Sequence, residues 1–316
     1  MNKQKLIVLI GPTAVGKTQT SIELAKAFQA EIISGDSMQI YKGMDIGTAK
    51  ITEEEMSGIP HHLIDIKNAD ESFSVAEFQR MVREKISDIH SRGKLPMIVG
   101  GTGLYIQSVL FDYHFTETPG DEEYRKELER QAEEYGKERL HAELVKIDPD
   151  AARSIHPNNI RRVIRALEIF HCTGKTMSEY QKEQQHELLY DTAIVGLTMD
   201  RDRLYERINY RVELMMKAGL LEEVKRFYDS GLRDVQSIQA IGYKELYDYF
   251  DGKVTEQEAV ENLMQNSRRY AKRQLTWFRN KMDVKWFDVT GEVEQSKIIQ
   301  DISNFIAGKL QLKSNM

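Results

Sequence analysis

The pattern of apolar and polar positions changes its period along the chain. Short apolar, β-branched-rich runs at residues 6–10, 31–34, 94–99, 193–199 and 284–289 have the length of buried strands. Between them, residues 17–28, 104–111, 200–219 and 296–310 repeat apolar positions at helical spacing. Ser74-Val75-Ala76-Glu77 and Thr255-Glu256-Gln257-Glu258 are capping-box patterns that open helices to about 91 and 281. Gly242-Tyr243-Lys244-Glu245 begins a shorter helix, and Leu63-Ile64-Asp65 is expected as a further strand after His61-His62. Strands alternating with helices imply a parallel sheet covered on both faces. After a linker at 116–120 the pattern changes. Charged amphipathic helices at 121–135, 137–147 and 158–170, separated by Gly136 and Asp148-Pro149, follow one another with no strand between them.

These elements predict an α/β fold: a P-loop parallel-sheet core, three-layered like the nucleotide kinases, with an all-helical insertion domain. Residues 1–120 form the first part of the core, 121–190 the insertion, and 191–316 the second part, which carries a basic helix. The P-loop is Gly11-Pro12-Thr13-Ala14-Val15-Gly16-Lys17-Thr18, lying between the first strand and first helix as the G-x-x-x-x-G-K-[ST] motif requires. There the backbone N–H groups and the helix N-terminus converge on phosphate oxygens, Lys17 adds a point charge, and the Thr18 hydroxyl can reach a phosphate-bound Mg²⁺.

Net charge is −6, which does not advertise a polyanionic partner, but the average hides an asymmetry. Residues 263–282 hold six Lys/Arg and no acid, whereas 121–138 hold eight acids against four bases. The single cysteine, Cys172, excludes an internal disulfide and any multi-cysteine metal site. No apolar run approaches membrane-spanning length, so the expectation is a soluble, cytoplasmic monomer without membrane contact.

Candidate chemistry gathers where parallel strands end. Asp36 follows the second strand and is the first catalytic candidate, with turn capping as the bland alternative. Residues 39–50 have no clean periodicity and are expected as an irregular segment at the same edge. The third core strand ends in Gly100-Gly101-Thr102-Gly103 with no carboxylate, which weakens an ATPase reading, since such enzymes commonly place a Mg²⁺-holding acid there. Adjacent His61 and His62 lack metal-ligand spacing. Arg203, Arg207 and Arg211 recur at i, i+4 steps and suit an anion-binding face or a solvated stripe. Arg161, Arg162 and Arg165 share one helix side, as an anion face or as partners of Glu168. Tyr270, Trp277 and Phe278 interleave with the basic helix, in a pattern that fits stacked RNA bases or simply core. On these residues alone, a P-loop small-molecule or nucleoside kinase and a nucleotide-sensing RNA-binding module also remain open.

Several stretches together resemble the bacterial tRNA isopentenyltransferase family. They are the P-loop, the run from Asp36 to Lys50 (DSMQIYKGMDIGTAK), Pro60-His61-His62-Leu63-Ile64-Asp65, Val99-Gly100-Gly101-Thr102, Ile241-Gly242-Tyr243, and Lys272-Arg273-Gln274-Leu275-Thr276-Trp277-Phe278-Arg279. They span nearly the whole chain in the family's order, with no departure at a position the family uses. The resemblance implies transfer of a dimethylallyl group from dimethylallyl diphosphate to the exocyclic amine of the adenosine 3′ to the anticodon. It implies Asp36 as general base, Thr13 beside the reacting amine or bridging oxygen, and the P-loop with Arg211 as the diphosphate site. Mg²⁺ would sit on Thr18, with or without Asp36. Asp36, Ser37, Met38, Gln39 and Thr102 would hold the flipped base. Arg161, Arg162, Arg165, Gly242, Tyr243, Lys272, Arg273, Gln274, Trp277 and Arg279 would contact the tRNA anticodon stem-loop.

Overall fold

The computed structural model describes residues 3–113, 120–183, 187–291 and 295–312. Six strands form one all-parallel sheet: β1 (Lys5–Ile10), β2 (Ala30–Gly35), β3 (His61–His62), β4 (Leu95–Gly100), β5 (Asp191–Thr198) and β6 (Lys285–Asp288), in spatial order β3-β2-β4-β1-β5-β6. β1 lies between β4 and β5, with Leu9 opposite both Val99 and Val195. Leu6 to Ile10 are all fully buried, as expected of a central strand with helices on both faces. The sheet is the expected P-loop α/β core, and its carboxyl edge carries the turns after β1, β2 and β4.

The chain divides into two compact units, 1–110 with 188–316, and 111–187. Within the first, the chain leaves after Leu110 and returns beside it, the Leu189 N–H donating to the Leu110 carbonyl at 2.9 Å. The second is helical: Glu122–Tyr135, Lys137–Ile147, Pro149–Ser154, Ile160–Thr173 and Met177–Glu183. Its own core holds Leu128, Leu140, Leu144, Val163 and Leu167. The expected linker at 116–120 lies outside the described residues except for Gly120.

Two expectations need correction, and one element is added. Leu63-Ile64-Asp65 is not a strand: Leu63 and Asp65 have positive φ, and the two residues before them pair with β2 instead, His61 opposite Ile32 and His62 opposite Ile33. Asp148-Pro149 does not merely separate helices. Asp148 caps a new one through the Ala151 N–H, and Pro149 takes the first helical position, where a missing N–H costs nothing. Residues 220–229 form a further helix, Leu220–Asp229, absent from the expectations above although Leu220, Leu221, Val224, Phe227 and Tyr228 recur at helical spacing.

Candidate active site

The P-loop closes tightly over the end of β5, where a Cβ on Gly11 would lie 2.8 Å from the Leu197 carbonyl. Gly16 adopts φ 107°, a conformation L side chains rarely take, as it delivers the chain into the helix Lys17–Phe28. Pro12 and Val15 are buried, and Ala14 has φ 65°. The loop is braced from far along the chain. The Thr13 N–H donates to Gln274 Oε1 at 2.9 Å, and Gln274 Nε2 donates to the Gly101 carbonyl at 3.1 Å. A Cβ on Gly101 would sit 2.0 Å from that amide, which explains why the β4 turn begins with glycines. Gln274 is buried, and its amide bridges the Thr13 N–H and the Gly101 carbonyl, which gives it a bracing role.

Lys17 is partly buried, and its ammonium donates to the Gly11 and Pro12 carbonyls at 2.9 and 2.7 Å. Burial lowers its pKa from 10.5 to about 7, with the like charge of Arg211 adding and Asp36 opposing. Arg211 is likewise held below its ordinary value, by burial first, although Asp36 and Glu55 pull the other way. Its Nη1 is 3.5 Å from Thr13 Oγ1. Of the arginine ladder, Arg207 Nε also reaches the loop, donating to the Ala14 carbonyl at 3.0 Å, while Arg203 pairs with Glu206 on the surface.

Asp36 does the capping that was its bland alternative, and it also stands in the cavity. Oδ1 caps the turn, accepting from the Met38 and Gln39 N–H groups at 2.8 and 3.3 Å. Oδ2 has no hydrogen bond among the described residues. Ser37 and Thr102 stand together, their hydroxyls 3.5 Å apart, and the Gln39 amide donates to the Thr48 and Ala49 carbonyls. Asp36, Thr13, Arg211 and Tyr270 line two adjoining cavities. One, of about 950 Å³, includes Gly16, Lys17, Thr18 and Gln274. The other, of about 310 Å³, includes Ser37, Met38, Lys244, Ser267 and Arg273. Two arms thus meet at one carboxylate.

Tyr270 stands out from the other aromatics of the basic helix, which the sequence does not separate from it. Burial, with the Asp36 charge adding, pushes its hydroxyl up to about 12, so it stays a neutral donor. Its place four residues before Gln274 on one helix face is the signal that could have found it. Arg273 lies over the Tyr270 ring at 5.7 Å, while Lys272 and Arg279 are exposed with Arg279 over Trp286. Trp277 packs against Gly103, and its buried indole N–H has no hydrogen-bond partner among the described residues.

Tyr243 needs correction as an RNA contact. It is fully buried, and its hydroxyl donates to Glu223, so in the unbound chain nothing of it faces solvent. Gly242, at φ 104°, donates its N–H to Glu245 and starts the helix Tyr243–Phe250. In the helical unit, Arg165 pairs with the buried Glu168 at 2.7 Å. Arg161 and Arg162 are exposed with no ion pair among the described residues. The two readings of that arginine group therefore divide between its members.

A P-loop on a parallel sheet, two desolvated cations and a carboxylate in one cavity define an enzyme that handles a phosphorylated substrate, with no acid at the end of β4 to serve nucleotide hydrolysis. Comparison with known proteins makes the class specific. The model of the IPP transferase family matches residues 39–281, and the chain belongs to that family. It is 67% identical over 310 residues to the tRNA dimethylallyltransferase of Bacillus subtilis (strain 168), covering 98% of this chain and 99% of the relative. The enzyme of the same name from Bacillus anthracis is 64% identical over 315 residues, covering 100% and 99%. Among solved structures, the tRNA isopentenylpyrophosphate transferase of Bacillus halodurans has a TM-score of 0.75 at 58% identity, covering 98% of this chain and 97% of that one. A eukaryotic dimethylallyltransferase acting on tRNA has a TM-score of 0.83 at 33% identity, covering 99% and 81%.

Proposed function

We propose that this chain is a tRNA dimethylallyltransferase. It moves a five-carbon dimethylallyl group from dimethylallyl diphosphate to the exocyclic amine of the adenosine 3′ to the anticodon, giving N6-isopentenyladenosine. The observation that carries this reading is the meeting of the P-loop arm and the Asp36 arm at one point, with Lys17 and Arg211 desolvated beside Asp36.

The chemistry follows from the charges. In the unbound chain Lys17 spends its protons on two loop carbonyls, and a diphosphate offers stronger, charged acceptors in their place. As the C1–O bond breaks, Lys17, Arg211 and the loop N–H groups stabilise the charge that builds on the departing diphosphate. The adenine amine is a weak nucleophile because its lone pair is delocalised into the ring. Asp36 Oδ2 accepts its proton as the N6–C1 bond forms, while Oδ1 keeps the carboxylate fixed to the turn. Thr13 and Tyr270 are hydroxyl donors beside the reacting atoms. The base must leave its stack to reach them, a smaller cost in an open anticodon loop than in a duplex.

The residues present fit Mg²⁺ as a companion of the substrate. Thr18 and Asp36 offer hard oxygens, and no cluster of three or more ligating side chains exists among the described residues, which suits an ion that takes most of its shell from phosphates and water. When bound, it neutralises charge on the diphosphate. Arg161 and Arg162 in the helical unit and, separately, Lys272, Arg273 and Arg279 on the basic helix of the core are the positive charges offered to the tRNA phosphates. No described helix is long and apolar enough to cross a membrane. An enzyme acting on tRNA would work in the cytoplasm, and a monomer is the simplest form for it.

Unmodified tRNA incubated with dimethylallyl diphosphate should gain the mass of one isoprenyl group at that adenosine. No gain, together with ATP turnover dependent on a small hydroxylated acceptor, would replace this reading with a kinase.

A further inference from the structure

The helix Leu220–Asp229 carries a glutamate where its apolar face should be. Glu223 lies in one stripe with Leu220 and Val224 and is 1% exposed. All of its acceptor capacity is turned on one loop and one tyrosine. Oε2 accepts from the Asp45 and Ile46 N–H groups at 3.0 and 2.8 Å, and Oε1 from the Gly47 N–H at 2.9 Å and from the Tyr243 hydroxyl. Three consecutive amides converging on an anion form the kind of nest that elsewhere cradles a phosphate. Here the anion is the protein's own, brought from 178 residues away. Tyr243 closes the other side, since a Cβ on Gly47 would lie 2.5 Å from its ring.

The loop so held has no helix or strand of its own, and it walls the reaction site. Thr48 and Ala49 line both cavity arms together with Asp36 and Arg211, and their carbonyls receive the Gln39 amide from the turn that Asp36 caps. The wall is therefore fixed from two sides, by Gln39 near the carboxylate and by Glu223 from behind.

We propose that Glu223, with Tyr243 as its partner, is a positioning residue for the transfer reaction, setting the 45–49 wall against which the two substrates meet. This rests on the transferase reading above. It also gives the Ile241-Gly242-Tyr243 stretch a task other than touching RNA. A carboxylate is required because only it can accept from four donors at once. A glutamine turns one acceptor into a donor that faces at least one N–H group, the Gly47 N–H in one amide orientation and the Asp45 and Ile46 N–H groups in the other.

Glu223→Gln tests this, with amide exchange of residues 44–50 followed beside single-turnover transfer. Exchange should rise by about tenfold or more, and the transfer rate should fall by about tenfold or more. The affinities for tRNA and for inorganic pyrophosphate should stay within about twofold, because the P-loop and the basic helix are untouched. Tyr243→Phe, which keeps the ring and removes one of the four bonds, should move both readouts in the same direction by about two- to fivefold. The proposal is overturned by unchanged exchange, by raised exchange with unchanged transfer, or by a transfer loss matched by an equal loss of pyrophosphate affinity. Should the unaltered enzyme transfer nothing to tRNA, the transferase reading fails on its own. Exchange at 44–50 then still decides whether Glu223 holds the loop.

Discussion

The helical unit and the reaction site of the core treat charge taken out of water in opposite ways. In the helical unit the buried acids are fully answered: Glu168 takes Arg125 and Arg165 at 2.6 and 2.7 Å, and Asp148 takes the Ala151 and Ser178 N–H groups and the Ser178 hydroxyl. In the core, Lys17 and Arg211 are desolvated beside each other with only neutral oxygens as hydrogen-bond partners, and Asp36 keeps one carboxylate oxygen unbonded among the described residues. Ion pairs answered within the fold specify structure, whereas desolvated charge left facing a cavity awaits a ligand of the other sign.

The sharpest way to break that contrast is at Asp36. Asp36→Ala should lower the single-turnover transfer rate by about 10² to 10⁴-fold, the usual worth of a general base, while tRNA affinity persists. The substitution also removes the cap on the Met38 and Gln39 N–H groups, so Asp36→Asn, which keeps a capping oxygen, separates the two roles. If the asparagine variant turns over at a near-normal rate, Asp36 is a cap and not a base.

Lys17 comes next. Lys17→Met should weaken pyrophosphate binding by about 10- to 100-fold, the range of a lost hydrogen bond to a charged group. The unaltered protein should show a pH signature. With Lys17 titrating at about 7 in the free protein, a bound anion raises that value, so binding above pH 7 takes up a proton and affinity falls as pH rises. Calorimetry at pH 8 in buffers of different ionisation heat measures this uptake, and Lys17→Met should abolish its protein share. An equal uptake by the variant would assign the proton to the ligand alone.

How much of this contrast is legible in the sequence depends on distance along the chain. The P-loop, Asp36 and the strand ends are readable because local spacing and parallel topology bring them to one edge. Thr13 and Gln274 are 261 residues apart, and nothing local announces that the buried amide of one braces the backbone of the other. Glu223 leaves a trace, a charge within an apolar stripe, but its loop partners have no periodicity to match it. The short β3 escapes a reading of the pattern because a two-residue edge strand is decided by its neighbour β2, while the apolar residues after it look more like a strand than it does. Arg161, Arg162 and Arg165 look alike at helical spacing, and only packing shows that one of the three is spoken for.

In the helical unit the comparison predicts stability effects in place of catalytic ones. Burial pushes the Glu168 carboxyl up, but the hydrogen bonds from Arg165 and Arg125 outweigh it and hold it below its ordinary 4.5. Its contribution is therefore present above about pH 4.5 and lost as the pH falls below that value. Glu168→Gln should cost about 1–2 kcal/mol, discounted because both arginines are nearly half exposed and screened by water. Urea unfolding of the variant should show the full loss at pH 7 and a smaller one at pH 3.5. A loss of the same size at both pH values would mean that packing, not charge, was removed.

The smallest effect is the one that tests whether free surface charge in this unit does what free buried charge does in the core. Arg161 and Arg162 lie beside the paired Arg165 on the same helix, so all three share a background and differ in being occupied or not. If unpaired arginines meet the phosphates of the anticodon stem, replacing Arg161 and Arg162 by Ala should weaken tRNA binding by only several-fold near physiological salt. It should also reduce the slope of log affinity against log salt by about 0.9 for each phosphate no longer neutralised. Arg165→Ala should leave the salt slope nearly unchanged and appear instead as lower stability, because its charge is already committed to Glu168. Equal salt slopes for the double variant and the unaltered protein would return Arg161 and Arg162 to the solvated face of a helix, and a reduced slope for Arg165→Ala would show that tRNA competes successfully for a paired arginine.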